Sequence, residues 1–123
     1  MKKYVWIGVI LLVIIAVSVL AYLKSAKTAD ITGSEKVILF YGKECPHCQL
    51  VEDYIIKNNI AQKVNFVQAE VFHNQNNQKI LLEKYKACGT TDESQMGVPM
   101  LWADGQCLVG QDKVMEYFDK NSN

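Results

Sequence analysis

The stretch Lys36-Val37-Ile38-Leu39-Phe40-Tyr41-Gly42-Lys43-Glu44-Cys45-Pro46-His47-Cys48 decides how this chain folds. Val37 to Phe40 form an unbroken apolar run. A run this short, closed by Gly42, reads as a strand buried on both faces. Gly42, Lys43 and Glu44 make a turn. Pro46 then suits the first turn of a helix, where its missing N–H costs no hydrogen bond. Leu50, Val51, Tyr54 and Ile55 recur behind it at helical spacing, and Asn58-Asn59 close that helix. Both cysteines therefore sit where a buried strand gives way to a helix.

That setting matters because the thiolate is the reactive form of cysteine. At a helix amino terminus it meets unpaired backbone N–H groups and the positive end of the helix dipole. Such sites lower a cysteine pKa into a range of about 3.5 to 7.5. Cys45, at the helix start, is the expected attacking cysteine. Cys48, one turn further in and less exposed, is close enough to form a disulfide with it and resolve a mixed disulfide. Pro46, His47 and Lys43 are the expected tuning residues. A protonated His47 or the Lys43 ammonium favours the thiolate, and a stabilised thiolate makes the disulfide form more oxidising. Zinc sites also use Cys-x-x-Cys, but with a second close pair, whereas Cys88 and Cys107 are far apart in sequence. No metal and no cofactor is expected.

Downstream, residues 64–72 read as a second strand rich in Val and Phe. Ile80 to Cys88 is helical, and Gly89 stops it. Residues 89–97 form a polar loop. Pro99-Met100-Leu101-Trp102 reads as a third strand with proline at its first position. Asp104-Gly105 is a hairpin turn, and Gln106 to Val109 return as a fourth strand. Gly110 breaks the chain before a last helix over 112–120. The expected fold is α/β with the order β-α-β-α-β-β-α, a four-stranded mixed sheet flanked by helices. A Cys-x-x-Cys beside a βαβ unit is a thioredoxin-like signature.

Upstream, residues 4–23 carry no charge. As a helix they span about 30 Å, the thickness of a bilayer core. Residues 1–23 read as a signal-anchor, with the amino terminus in the cytoplasm and the rest outside it. Val19-Leu20-Ala21 offers small residues for cleavage, in which case the domain is secreted or periplasmic. The small, polar residues 24–35 read as a flexible linker, 36–120 as the domain and 121–123 as a tail. The 123 residues carry zero formal net charge, and every basic residue is Lys. Nothing here favours nucleic acid, and bidentate guanidinium recognition of phosphate is excluded.

Taken together, Phe40 to Cys48, then Gly97-Val98-Pro99, then Asp104-Gly105 and Val109-Gly110 resemble a small thioredoxin/glutaredoxin-type domain of the thioredoxin superfamily. The dipeptide between the cysteines looks like that of DsbA-like oxidases, while the compact size is closer to glutaredoxin. The resemblance implies a cis Val98-Pro99 bond facing the cysteines, with Val98 offering its backbone to an extended substrate. It also implies a thiol–disulfide oxidoreductase acting on protein thiols and disulfides, with a membrane or soluble redox partner. Pro46-His47 points to the oxidase side; a glutaredoxin-like or thioredoxin-like reductase is the alternative. Two positions depart from the pattern. Leu39 stands six residues before Cys45, where thioredoxins carry a buried acid. Gly110-Gln111-Asp112 only partly matches the glutathione-binding turn, leaving glutathione as a candidate co-substrate. Cys88 and Cys107 are either buried thiols or a second disulfide, a choice that distance decides. From a different class, Cys45 and Cys48 would serve a Cu(I) or zinc carrier, helped by Met96, Met100 and His73.

Overall fold

The computed structural model describes residues 1–24 and 31–123, the side chains of 20–24 excepted. The chain forms helix α1 (Lys2–Lys24), strand β1 (Val37–Tyr41), helix α2 (Pro46–Lys57), a short helix α3 (Ile60–Lys63), strand β2 (Val67–Glu70), helix α4 (Gln75–Ala87), strands β3 (Met100–Ala103) and β4 (Gln106–Val109), and helix α5 (Gln111–Asn121). The sheet order is β2-β1-β3-β4. β1 runs parallel to β2 and antiparallel to β3, which runs antiparallel to β4. This is the expected mixed sheet with helices on both faces.

The apolar run of β1 explains the layering, because successive strand side chains point to opposite faces. Ile38 and Phe40 join Ala69, Val71, Ile80, Tyr85 and Met100 in a core beneath α4. Leu39 points the other way and joins Val51, Ile55, Ile60, Leu101, Val114 and Phe118 beneath α2, α3 and α5. Asp104 (φ 51°) and Gly105 (φ 79°) both lie in the left-handed region, as a tight hairpin turn between right-twisted strands requires.

Two expectations are corrected. The second strand covers residues 67–70 rather than 64–72: Val64 donates its N–H to Ile60 O and caps α3, while the Glu70 carboxylate turns back on the N–H groups of Phe72 and His73 and ends the strand. Asn58-Asn59 close α2 as expected, and Asn59 (φ 52°) then leads into the short α3. The linker is shorter than residues 24–35. Ile31 is buried in the core beneath α4, and Lys84 Nζ donates to Gly33 O at 2.7 Å, so the domain reaches back at least to Ile31. Residues 25–30 lie outside the described residues.

Helix α1 is long and apolar enough to cross a membrane, with a mean hydropathy of 2.1 over Lys2–Val19; a signal sequence passes the same test.

Candidate active site

Local chemistry fixes the position of the cysteines. Cys45 is the N-cap of α2, with extended backbone (φ −82°, ψ 115°). Its N–H closes the preceding turn on Gly42 O at 3.1 Å. Its Sγ accepts the N–H of Cys48 at 3.2 Å, taking the place that a serine or aspartate oxygen fills at other helix starts. The two cysteines form a disulfide with Cα atoms 5.2 Å apart. Cys45 is 8% exposed and Cys48 4%, so an attacking group meets Cys45 first. Gly42 lets the Phe72 ring pack directly on the turn, and a side chain at that position would have to displace the ring.

Opposite the cysteines, Val98-Pro99 is a cis peptide bond. The Val98 carbonyl oxygen lies 3.5 Å from Cys45 Sγ. The segment before it is held from beneath: the buried Tyr85 hydroxyl donates to Gly97 O at 2.6 Å. Replacing Tyr85 with Phe is expected to cost about 1 kcal/mol of stability in urea unfolding, the usual size of one such bond. It is also expected to slow exchange at Cys45 by loosening Val98. An unchanged rate would show that Val98 is positioned without Tyr85.

The residues expected to tune Cys45 fall into two groups. His47 Nδ1 donates to Gln111 Oε1 at 2.7 Å, tying the start of α2 to the start of α5. Lys43 has an exposed side chain and gives its backbone N–H to Glu70 at 3.3 Å. Leu39, where thioredoxins carry an acid, is packed in the apolar core. The Glu44 carboxylate pairs at the surface with His73 Nε2 at 2.7 Å. Among the described residues no carboxylate bonds to either cysteine.

Glu70 was not singled out by its sequence position, yet it organises the turn. It is only 3% exposed and accepts the N–H groups of Lys43, Phe72 and His73. Burial opposes its charge, but the three backbone donors and the nearby His73 outweigh that cost and hold the carboxyl below its ordinary value. A depressed carboxyl stabilises the fold above its unfolded pKa of 4.5, and that stability is lost as pH falls through the folded value. Glu70→Gln, which keeps one acceptor oxygen and adds a donor facing N–H groups, is expected to cost about 2–3 kcal/mol at neutral pH. Urea titrations should find the difference from the parent shrinking below pH 4.5; a constant difference would refute this role. Glu44, Glu70 and His73 bring ligand atoms within 4.8 Å of one another. The Glu70 oxygens are already engaged, and the group includes neither cysteine.

Cys88 and Cys107 are joined, with Cα atoms 6.2 Å apart. Cys88 caps α4, and Cys107 faces Trp102 across the β3–β4 ladder. Lys84 Nζ lies 4.4 Å from the Trp102 ring centroid, so this corner joins α4 to the sheet twice. Of the residues considered as metal ligands, Met100 is fully buried in the core and His73 holds Glu44. Met96 lines a surface groove.

Two grooves flank Cys45 and Val98. One, of about 420 Å³, is lined by His47, Pro99, Gly110, Gln111, Asp112 and Lys113. The other, of about 510 Å³, is largely apolar and runs between Pro46, Phe72, Leu81, Met96 and Val98.

Two solved structures superpose with a TM-score of 0.50 each: a buckwheat glutaredoxin in complex with glutathione (19% identity, 73% of this chain and 74% of that one) and a mutated buckwheat glutaredoxin (18%, 73% and 74%). The domain has the glutaredoxin fold. A holo glutaredoxin C1 from Populus tremula x tremuloides also aligns, at 20% identity and a TM-score of 0.49, over 83% of this chain and 82% of that one. No family model and no curated protein matches the sequence. In this glutaredoxin-like domain the cysteine pair, the cis proline and both grooves lie together at the end of the sheet where β1 leads into α2.

Proposed function

We propose that this chain is a membrane-anchored thiol–disulfide oxidoreductase that exchanges disulfides with protein thiols through Cys45 and Cys48. One observation carries the reading: Cys45 Sγ caps α2 on the Cys48 N–H and lies against the Val98 carbonyl that precedes Pro99. A substrate thiolate attacks Cys45 Sγ, and the Cys45–Cys48 bond breaks with its electron pair leaving on Cys48. The second substrate thiolate attacks the substrate sulfur of the mixed disulfide and releases Cys45 as thiolate. The substrate loses two electrons and the cysteine pair gains them, to be passed on to a redox partner. The helix start stabilises Cys45 as leaving group, which favours the oxidising direction. Val98 offers its backbone to the extended substrate, and Pro46, His47 and Lys43 tune Cys45. Residues 4–23 anchor the chain in the bilayer, with residues 31–121 outside the cytoplasm.

Titration of the full chain in detergent against glutathione redox buffers tests the direction. A potential well above thioredoxin's value of about −270 mV supports the oxidase; a value near it makes the protein a reductase. The second reading, use of glutathione itself, draws on the groove over Gly110, Gln111, Asp112 and Lys113 and on the glutathione bound by the buckwheat protein. Retained activity of Cys48→Ser on glutathione mixed disulfides supports it, since that reaction needs Cys45 alone.

A further inference from the structure

The path by which the chain enters the domain restricts where its cysteines work. The Ile31 carbonyl accepts from Asn76 Nδ2 at 3.4 Å, near the start of α4. Gly33 then packs on Ile80, and its carbonyl binds Lys84, two turns further along the helix. The segment thus descends beside α4 from its amino end before turning into β1. That amino end belongs to the active site. His73, just before α4, binds Glu44, the neighbour of Cys45. Glu70 holds the Lys43 N–H, and Phe72 presses on Gly42. The tether therefore joins the domain at its cysteine end.

Its length adds the second constraint. Residues 25–30 alone separate Lys24 from Ile31. At no more than about 3.6 Å per residue, Ile31 stays within roughly 25 Å of the end of α1. Had the chain entered at the opposite end of the sheet, a domain of this size would place a body about 30 Å across between the membrane and Cys45. Here the cysteine end is the near end.

From this entry point and tether length, we infer that Cys45 exchanges with cysteines carried by membrane proteins close to the bilayer surface, in preference to cysteines held far above it. The inference rests on the anchored thiol-exchange reading above.

The test places the full chain in phosphatidylcholine/phosphatidylglycerol vesicles with single-span peptides. One peptide bears a cysteine pair next to its span. The other carries the same pair about 60 Å away on a rigid helical spacer of roughly 40 residues. The near pair is expected to exchange at least about tenfold faster, because a tether too short to span two sites removes their effective concentration. Inserting a flexible Gly/Ser segment of about 20 residues after Lys27 raises the fully extended reach to roughly 90 Å and should narrow the ratio of the two rates at least about twofold. Exchange with a soluble dithiol peptide should be the same for both chains, which verifies that the insertion leaves the domain intact. Equal rates for near and far pairs in the parent, or an unchanged ratio after insertion, overturn the inference while sparing the proposed activity. A chain that does not float with the vesicles overturns the anchor and this inference with it. A chain that floats but exchanges with no dithiol, soluble ones included, overturns the thiol chemistry itself.

Discussion

Cys45→Ser is expected to reduce disulfide exchange to the rate of the uncatalysed thiol reaction, and Cys48→Ser to accumulate covalent adducts on Cys45. The two outcomes follow from unequal positions on one helix start. Cys45 Sγ receives the Cys48 N–H and carries what exposure the pair has, whereas Cys48 lies a turn further in beneath it. A thiolate on Cys45 is stabilised by that donor and by the dipole of α2, so it is both the better leaving group and the group a partner reaches. Without Cys48 the Cys45 thiolate can still attack a partner's disulfide, but no neighbouring thiol is present to displace the partner sulfur from Cys45, so the adduct remains attached. Non-reducing gels and intact mass would identify adducts in the Cys48→Ser chain and their absence in Cys45→Ser. Adducts forming on Cys48 in the Cys45→Ser chain instead would reverse the assignment.

Replacing both Cys88 and Cys107 with alanine is expected to lower stability by about 3 kcal/mol through the freed entropy of the unfolded chain. The bridge spans 19 residues and closes the segment that holds the 89–97 loop, Val98-Pro99 and β3. For a domain of this size the loss corresponds to a fall in Tm of roughly 15 °C, readable by circular dichroism on heating. Exchange at Cys45 measured well below the new Tm should be little changed, as the bridge lies at the opposite end of α4 from His73, which precedes the helix and pairs with Glu44. An unaltered Tm, with Cys88 and Cys107 cycling during turnover, would make this pair a second redox couple instead of a staple.

Much of the fold was legible in the sequence where local chemistry decides it. Val37 to Phe40 had to be a strand covered on both sides, and Ile38 and Leu39 do face opposite cores. Pro46, Gly89 and Asp104-Gly105 mark a helix start, a helix stop and a hairpin because each constrains its own backbone. The candidate site was legible for the same reason: Cys45 and Cys48 lie at one such start. What escaped depends on partners distant in sequence. Residues 31–35 have the composition of a spacer, and only the core around Ile80 shows that Ile31 is a core residue. The second strand was read too long because Val64 and Phe66 carry the right side chains. Its real end is set by a carboxylate finding three amides, one of them 27 residues back at Lys43. The support of Gly97 by Tyr85 likewise has no sequence signature, since any buried tyrosine needs some acceptor.

The sheet order has a further consequence for how the chain comes to be folded. β1 is the first strand made and lies between β2 and β3, so its second neighbour is synthesised some 60 residues after it. Until Met100–Ala103 arrives, one whole edge of the strand that leads into Cys45 remains open. As the chain is made, Cys45 and Cys48 emerge together and can pair at once, whereas Cys88 meets Cys107 only when the hairpin has followed. The nascent chain can thus form its first disulfide before it is topologically closed, and it spends that interval with a templating β-edge beside Cys45.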